Sequence, residues 1–262
     1  MSAPDPAWSA LDSAASELAV NLRLAHDLGQ RVPGLAWTVR ELGTHLVSVT
    51  QAYTAAECDG RPVGPDLRAV AENNRRLLET TEFTTSDNLA SAFAAAASHF
   101  VDVNRKLERD QYVPFYGDLK ITASAAARLM LYEFLVHNHD LARTFTRSHH
   151  IDPDRARIAL EAFREVLPLF VRPGPTRNLH TTYELHIRGG DPYLLLFEHG
   201  TLTIEPAHPH AAACHINAEA AAYLLVAAGR LSQWHAIARG KLLAYGRQPW
   251  NAFHFKSLFI TV

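Results

Sequence analysis

Apolar residues in the first 150 positions recur at the spacing of amphipathic helices, in which positions three, four and seven apart share a buried face. This spacing predicts helices over about 6–30, from residue 38 to the Gly/Pro connection at 60–65, and over about 66–80, 86–109 and 122–146. Four of these segments are long. Four long helices with one or two longer connections are typical of a four-helix bundle.

The start of the second helix is marked by two overlapping signals. Thr38 and Glu41 have the spacing of a capping box, in which the hydroxyl and the carboxylate each accept a hydrogen bond from a free backbone amide. Trp37 and Leu42 occupy the flanking hydrophobic-staple positions. The sequence therefore predicts a helix that begins directly after Thr38.

The pattern changes after residue 150. Asp152 and Pro153 predict the start of a helix to about residue 170. Alternating residues then predict strands over 182–188, 193–198, 201–205 and 212–216, a helix capped by Asn217 and closed by Gly229, a strand within 239–246 and a short C-terminal helix. The sequence therefore predicts an α+β protein of two domains, a bundle over 1–150 and a small α+β domain over 151–262.

Two polar groups lie on the otherwise apolar face of the fifth helix. Glu133 and His137 are four residues apart, so they project side by side, and Asp140 follows one turn later. Burying such groups is costly unless each has a partner, and a metal ion is one partner that satisfies both. A surface pair or a hydrogen-bonded core histidine is the alternative interpretation.

His45 points inward on the second helix, because it shares the buried face with Leu42, Leu46, Val49 and Tyr53. A lone inward histidine is more often a satisfied core residue than a ligand. If it meets the pair on the fifth helix across the bundle, it becomes a third ligand.

Composition excludes several classes of protein. The chain has 262 residues and a formal net charge of -2, so it lacks the basic surface that nucleic acid or anionic lipid requires. Cys58 and Cys214 have no metal-site or redox spacing, which indicates a reducing compartment. With no apolar run of membrane-spanning length and no signal peptide, we expect a cytoplasmic protein without a membrane partner.

Arginine outnumbers lysine and alanine is abundant, which suggests a GC-rich bacterium.

Two stretches of the first half, Trp-Thr-Val-Arg-Glu-Leu-x-x-His-Leu at 37–46 and Glu-x-x-x-His-x-x-Asp-Leu at 133–141, resemble the mycothiol-dependent maleylpyruvate isomerase family of DinB-like metal-binding bundles. In the second half, Leu-x-x-x-Gly-Arg at 225–230, Gly-Lys-Leu at 240–242 and Gly246 resemble the sterol-carrier-protein-like domain that accompanies it. The two resemblances cover nearly the whole chain.

The resemblance implies a divalent metal, usually zinc, held by His45, Glu133 and His137 with a fourth position open for catalysis. In the family this position activates the thiol of mycothiol, the low-molecular-weight thiol of actinomycetes, because coordination lowers the thiol pKa. The thiolate then attacks a small electrophile, as an isomerase or an S-transferase. Asp140 matches a family acidic residue that orients a ligand or handles a proton, although a solvated helix-end aspartate is an equal alternative.

The resemblance also implies an arginine from the second domain that faces the site, as a catalytic and cosubstrate-binding group. Arg230 is the best match, with Arg239 and Arg247 as alternatives. A guanidinium suits a carboxylate-bearing substrate or the polar parts of the thiol. The expected partners are therefore a small electrophile and a thiol, and the chain is expected to be a monomer or a homodimer.

Two other functions stay open at this point. Two histidines and one carboxylate also form the facial triad of non-haem Fe(II) enzymes. Alternatively, the second domain binds an apolar ligand without catalysis and the bundle is a scaffold. No glycine-rich phosphate loop and no Gly-x-Ser-x-Gly elbow occurs, which argues against nucleotide-dependent enzymes and serine hydrolases.

Overall fold

The structure is a computed structural model that describes residues 5–78, 83–209 and 212–260. The chain forms two compact units, the first ending at Ile151 and the second beginning at Asp152. Each unit is described below by itself.

The first unit contains a bundle of long helices. Its helices are α1 (Pro6–Arg23), α2 (Val39–Asp59), α3 (Val70–Leu78), α4 (Ser86–Asn104) and α5 (Ala123–Thr144). The α1 helix packs against α4 and α5, and α2 packs against α4 and α5. Buried leucine, alanine and phenylalanine side chains fill the interior, and the rings of Phe93 and Phe134 meet edge to face at 5.2 Å.

Each long helix of the bundle starts at a residue whose side chain accepts from a free backbone amide. The capping residues are Asp5, Thr38, Thr85 and Thr122. At Thr38 the capping box is complete, because the Glu41 carboxylate accepts from the Thr38 amide at 2.6 Å while the Thr38 hydroxyl accepts from the Glu41 amide at 3.3 Å. The predicted start of α2 is confirmed.

Asn104 ends α4 and joins it to the three other long helices. Its side-chain amide donates to the carbonyl of Ala123 at 3.0 Å and to Oε1 of Glu57 at 2.8 Å, and its oxygen accepts from Trp8 Nε1 at 3.0 Å. The predicted continuation of this helix to about residue 109 is wrong, because the Asn104 side chain turns inward and the chain leaves the helix there.

Two further helix boundaries differ from the sequence prediction. The α1 helix ends at Arg23 rather than near residue 30, and the Asp27 side chain closes a turn by accepting from the amide of Gly29 at 2.7 Å. The third segment begins as a 3-10 turn, Leu67–Ala69, before α3. Its predicted end at residues 79 and 80 lies outside the described residues.

The structure also contains a hairpin that the sequence did not predict. Strands β1 (Tyr112–Pro114) and β2 (Lys120–Thr122) pair antiparallel and connect α4 to α5. Strands of three residues are too short to show an alternating pattern.

The second unit is built on a five-stranded sheet. Its strands are β3 (His180–Ile187), β4 (Tyr193–Glu198), β5 (Thr201–Pro206), β6 (Cys214–Ala218) and β7 (Leu242–Tyr245), in the order β5-β4-β3-β6-β7. Only the β3–β6 pair is parallel among these strands. The helices are α6 (Pro153–Leu160), α7 (Phe163–Val166), α8 (Pro173–Thr176), α9 (Ala220–Ala227) and α10 (Gln233–Ala238), followed by a 3-10 segment at Pro249–Leu258.

Two predictions for the second unit are wrong. The helix expected over 153–170 is interrupted, since α6 ends at Leu160 and Leu167–Phe170 forms a 3-10 turn that contains Pro168. Asn217 does not cap a helix: it lies in β6, where its side chain pairs with His186 at 3.0 Å, and Glu219 stands at the start of α9. The closing role of Gly229 is confirmed by its left-handed φ of 73° after α9.

No helix within the described ranges is long and apolar enough to cross a membrane.

Candidate metal centre

Helices α2 and α5 bring His45, Glu133 and His137 together inside the bundle. The Glu133 Oε2 atom lies 3.3 Å from His137 Nε2 and 3.5 Å from His45 Nε2. One ligand atom from each of the three residues lies within 4.8 Å of the others. His45 therefore meets the pair on α5 across the bundle, as a third ligand would have to do.

Local sequence explains why the three side chains converge. Glu133 and His137 are one helical turn apart on α5, so they share a face. The capping box fixes where α2 begins, and His45 then lies on its buried side. Gly43 brings α2 and α4 close together, because a Cβ atom there would lie 2.5 Å from a methyl carbon of Leu89.

Asp140 contacts the His137 imidazole at Nδ1, the ring nitrogen that does not face Glu133. Its Oδ2 atom lies 3.0 Å from His137 Nδ1, and its side chain is 0% exposed. Asp140 is thus a buried partner of the imidazole and not a solvated helix-end residue. Because Nδ1 is engaged by the carboxylate, Nε2 is the nitrogen that faces Glu133, which is the usual arrangement behind a metal-ligating histidine.

Trp37 lies against both histidines, a contact that the sequence did not indicate. Its ring centroid is 4.9 Å from that of His45 and 6.3 Å from that of His137. The staple position explains a contact with Leu42 but gives no signal for one with the site. The indole thus covers one side of the His45 imidazole.

The three groups perturb one another electrostatically. Burial disfavours the charge on Glu133, but hydrogen bonds with His137 and His45 hold the pKa of its carboxyl well below the usual range. Burial opposes the charge on His137 as well, yet Asp140 and Glu133 raise its pKa to about 9. Burial lowers the pKa of His45, with the neighbouring His137 acting in the same direction. The Glu133 carboxylate is thus shared by two buried imidazoles.

This donor set fits a divalent cation. Two imidazole nitrogens and one carboxylate are ligands that zinc and Fe(II) both accept. The Glu133 side chain is 32% exposed whereas both histidine side chains are 6% exposed, so the cluster opens on the Glu133 side. A catalytic metal site requires a fourth position that is open to substrate, and the exposed side of Glu133 is compatible with this requirement.

Other residues considered from the sequence lie elsewhere. Arg230 follows α9 in the second unit, where its Nη1 donates to the carbonyl of Ala228 at 2.7 Å, and Arg239 and Arg247 are exposed in the same unit. The role of Arg230 at the bundle site stays a prediction.

The charge of Glu133 acts on two tyrosines that the sequence did not indicate as site residues. Tyr53 was predicted only as part of the buried face of α2, and Glu57 lies one turn further on. Tyr116 lies in the turn between β1 and β2, where no periodic pattern exists. The charge of Glu57 acts on Tyr53 as well.

Fold and site together define a class: a two-domain α+β protein whose helical bundle holds a candidate divalent-metal site. The family to which the protein belongs is shown by a comparison of its sequence with family models. The family model of the mycothiol maleylpyruvate isomerase N-terminal domain matches residues 7–142, which is more than half of the chain, and the protein belongs to this family. Comparison with curated proteins gives no match.

Solved structures agree with this assignment. The crystal structure of the mycothiol-dependent maleylpyruvate isomerase has a TM-score of 0.54 and 14% sequence identity, and the match covers 91% of each chain. A mutant of that isomerase gives a TM-score of 0.55 and 13% identity, again over 91% of each chain. At these identities the likeness shows the fold alone, and it confirms the two-domain α+β fold class.

For the second unit, a UbiJ-SCP2 ubiquinone synthesis protein covers 37% of the chain at a TM-score of 0.28 and 16% identity. A TM-score this low carries no argument, so the sterol-carrier-like label rests on the sequence motif.

Proposed function

We propose that this protein is a divalent-metal, mycothiol-dependent enzyme that acts on a small electrophile as an isomerase or a thiol S-transferase. The observation that carries the proposal is the convergence of His45, Glu133 and His137 in a chain of this family. The metal is proposed to be zinc, and the reaction is proposed to take place in the cytoplasm.

The residues of the bundle have separate roles in this proposal. His45 and His137 offer their Nε2 atoms and Glu133 offers Oε2 as the ligand set. When bound, the metal lowers the pKa of the cosubstrate thiol and so supplies a thiolate at neutral pH. Asp140 holds His137 in the required orientation, and Trp37 covers one side of the His45 imidazole. We propose that Arg230 binds a carboxylate of the substrate or polar groups of the thiol.

The two proposed reactions share their first step. The thiolate sulfur forms a bond to one carbon of an activated double bond, and the π electrons move to the activating carbonyl oxygen. In an isomerase the resulting single bond rotates, the carbon–sulfur bond breaks and the thiolate is returned. In an S-transferase the carbon–sulfur bond stays and a proton completes the product.

Metal content per chain tests the proposal directly. Protein purified without a histidine tag is measured by mass spectrometry for the wild type, His137→Ala and the control His150→Ala, in which the exposed His150 is replaced. We expect about one zinc per chain in the wild type and in the control, and loss of zinc in His137→Ala. Absence of metal in the wild type, even after reloading with zinc, would overturn the proposal.

Turnover of the zinc-loaded protein separates the remaining candidates. Formation of a geometric isomer that requires mycothiol identifies an isomerase, and a stable thioether identifies an S-transferase. Iron as the bound metal, with turnover that consumes oxygen, favours a non-haem Fe(II) enzyme instead. An apolar molecule that co-purifies with metal-free protein favours a ligand carrier.

A further inference from the structure

Charge is distributed unevenly along the chain, whereas the expectation of no membrane partner rests on the net charge of the whole. Residues 220–262 contain five lysine and arginine residues and no aspartate or glutamate, although the formal net charge of the protein is -2. Lys241 pairs with Glu219 at 3.0 Å. Arg239 and Arg247 are exposed, and neither has an ion pair within the described part of the chain. The last part of the second unit is therefore basic.

Large apolar side chains are exposed in the same region. Trp234 on α10 is 57% exposed, and Trp250 and Phe253 in the 3-10 segment are 58% and 42% exposed. Leu243 and Tyr245 of the edge strand β7 are exposed as well. More than half of the exposed large hydrophobic residues in the described ranges thus lie between positions 234 and 253. Such a concentration is typical of an interaction surface.

The two tryptophans and Phe253 form a continuous surface feature, called the aromatic ridge below. The ring centroids of Trp234 and Phe253 are 4.9 Å apart. Residues three apart lie one above the other in a 3-10 helix, so Trp250, Phe253 and Lys256 form one exposed row of the segment. The row on the inner side is buried and consists of Ala252, Phe255 and Leu258. The row that carries two rings of the ridge therefore ends in a cation.

Phe255 anchors the 3-10 segment beneath the aromatic ridge. Its ring centroid lies 5.0 Å from that of Tyr183 and 5.3 Å from that of Phe259. The side-chain amide of Gln233 on α10 donates to the carbonyl of Phe253 at 3.4 Å, which joins the two elements that carry the ridge. The exposed rings are thus presented by a fixed backbone.

Charge and ring packing distinguish the kinds of partner that this surface could bind. Two-fold pairing with a second copy would bring the same cations against one another, which is unfavourable. Bases of single-stranded nucleic acid stack on free aromatic faces, but the rings of Trp234 and Phe253 already contact each other. An anionic lipid surface suits both features, because tryptophan favours the membrane–water interface and arginine and lysine are attracted to negative headgroups.

We propose that the aromatic ridge, with the flanking Arg239 and Arg247, binds the protein reversibly to the surface of a membrane that contains anionic lipid. Arg239 directly follows α10, and Arg247 lies two residues before the 3-10 segment. Each cation is therefore close in sequence to an element that carries a ring of the ridge. The rings enter the headgroup region while the cations contact the lipid phosphates.

Co-sedimentation of the full-length protein with lipid vesicles tests the proposal. Vesicles of phosphatidylcholine alone are compared with vesicles that contain about one-third phosphatidylglycerol. The wild type should bind the anionic vesicles at low salt and the neutral vesicles about 10-fold or more weakly. High salt should release it from the anionic vesicles, because salt screens the attraction.

Replacement of a ridge tryptophan tests the apolar part of the contact. Trp250→Ala should weaken binding to the anionic vesicles about 10-fold, because the indole ring no longer enters the interface. Tyr112→Ala is the matched control, since it removes a ring that is 66% exposed on the bundle hairpin, and it should bind as the wild type does.

Replacement of the cations tests the electrostatic part. The double variant Arg239→Gln/Arg247→Gln should bind the anionic vesicles about 10- to 30-fold more weakly. The control Arg68→Gln/Lys106→Gln removes two exposed cations from the first unit and should leave binding unchanged. Melting temperature should be the same in all variants, since every replaced side chain is exposed. If Trp250→Ala fails to fold, the arginine variant still decides.

The outcomes are decisive. No binding of the wild type to the anionic vesicles, or equal binding by all variants, would overturn the proposal. Weaker binding in the arginine variant alone would refute the role of the aromatic ridge. If vesicles are not bound but the same variants lose binding to a single-stranded oligonucleotide, or lose a dimer seen by sedimentation, the assignment to lipid is wrong. Zinc content, measured on the same samples, reports separately on the proposed function.

Discussion

The carboxylate of Asp140 lies 3.0 Å from Nδ1 of His137 and thereby fixes which imidazole nitrogen faces Glu133. Removing the charge of Asp140 should loosen the orientation of the His137 imidazole while the fold persists. We expect Asp140→Asn to lower the zinc affinity about 10- to 100-fold, as measured by competition with a chelator. Asp102→Asn, at an exposed position on α4, is the control and should leave the affinity unchanged. Equal affinities in both variants would show that Asp140 does not act on the metal site.

Glu57 should make the stability of the bundle depend on pH. One of its carboxylate oxygens is buried without a partner in the described part of the chain, and burial raises the pKa of Glu57 to about 7 from an ordinary value of 4.5. Because the folded pKa is the higher one, the contribution of Glu57 to stability is complete below about pH 4.5. It decreases as the pH rises and is lost above about pH 7.

Glu57→Gln should therefore increase the free energy of unfolding at pH 8 by roughly 1–3 kcal/mol and change it little at pH 4.5. The neutral amide can still accept from Asn104. Chemical denaturation at the two pH values measures the difference, with Glu108→Gln at an exposed position as the control. A gain of the same size at both pH values would contradict this account.

The ion pair of Asp5 with Arg128 should stabilise the bundle strongly. Nη1 of Arg128 lies 3.0 Å from Oδ2 of Asp5, both side chains are buried, and Arg109 also pairs with Asp5. Burial alone would raise the pKa of Asp5, but the amide of Ala7 and the Arg128 guanidinium lower it. Its contribution is thus present above about pH 3.9 and is lost as the pH falls through the lowered pKa.

Asp5→Asn should destabilise the protein by about 3 kcal/mol at pH 7, because it leaves the Arg128 charge buried without its carboxylate. Thermal or urea unfolding measures the effect. The exposed pair of Asp12 with Arg105 provides the matched control, and Asp12→Asn should cost no more than about 1 kcal/mol. Equal effects of the two replacements would disprove a special role for the buried pair.

Gly64→Ala should displace the Tyr116 ring. The added methyl group would overlap the ring carbons, and overpacking of this kind costs about 1–3 kcal/mol. Gly174→Ala is the control, since a Cβ atom there has open space around it. If the clash is the cause, Tyr116→Ala should reduce the penalty of Gly64→Ala in a double-mutant cycle.

Local signals in the sequence predicted the parts of the fold that local interactions determine. Thr38 and Glu41 satisfy each other within one helical turn, so the start of α2 could be predicted. Asn217 could not be assigned correctly, because its partner His186 comes from a neighbouring strand. The break of the 153–170 helix was missed although Pro168 is a local signal against a continuous helix, because the prediction relied on the apolar spacing alone.

In the candidate metal site, too, the features that local spacing determines could be predicted, and those that depend on distant contacts could not. Helical spacing predicted that Glu133 and His137 share a face and that His45 points inward. Their meeting across the bundle came from the family resemblance, because the sequence of either helix contains no information about its register against the other. The position of Tyr116 could not be predicted because it depends on a contact of the hairpin with Gly64, and these two segments are far apart from each other in sequence.

Asn104 joins the long helices at one end of the bundle. It ties α4 to Trp8, Glu57 and the start of α5 at one end. His45 lies twelve residues before Glu57 on α2, a rise of about 18 Å along the helix. The helices are therefore joined by Asn104 far from the ligand cluster, and at the cluster α2 and α5 are held together by His45 and Glu133. Because polar contacts close the bundle at two separate levels, a local disturbance at the Asn104 end can leave the ligand residues in place.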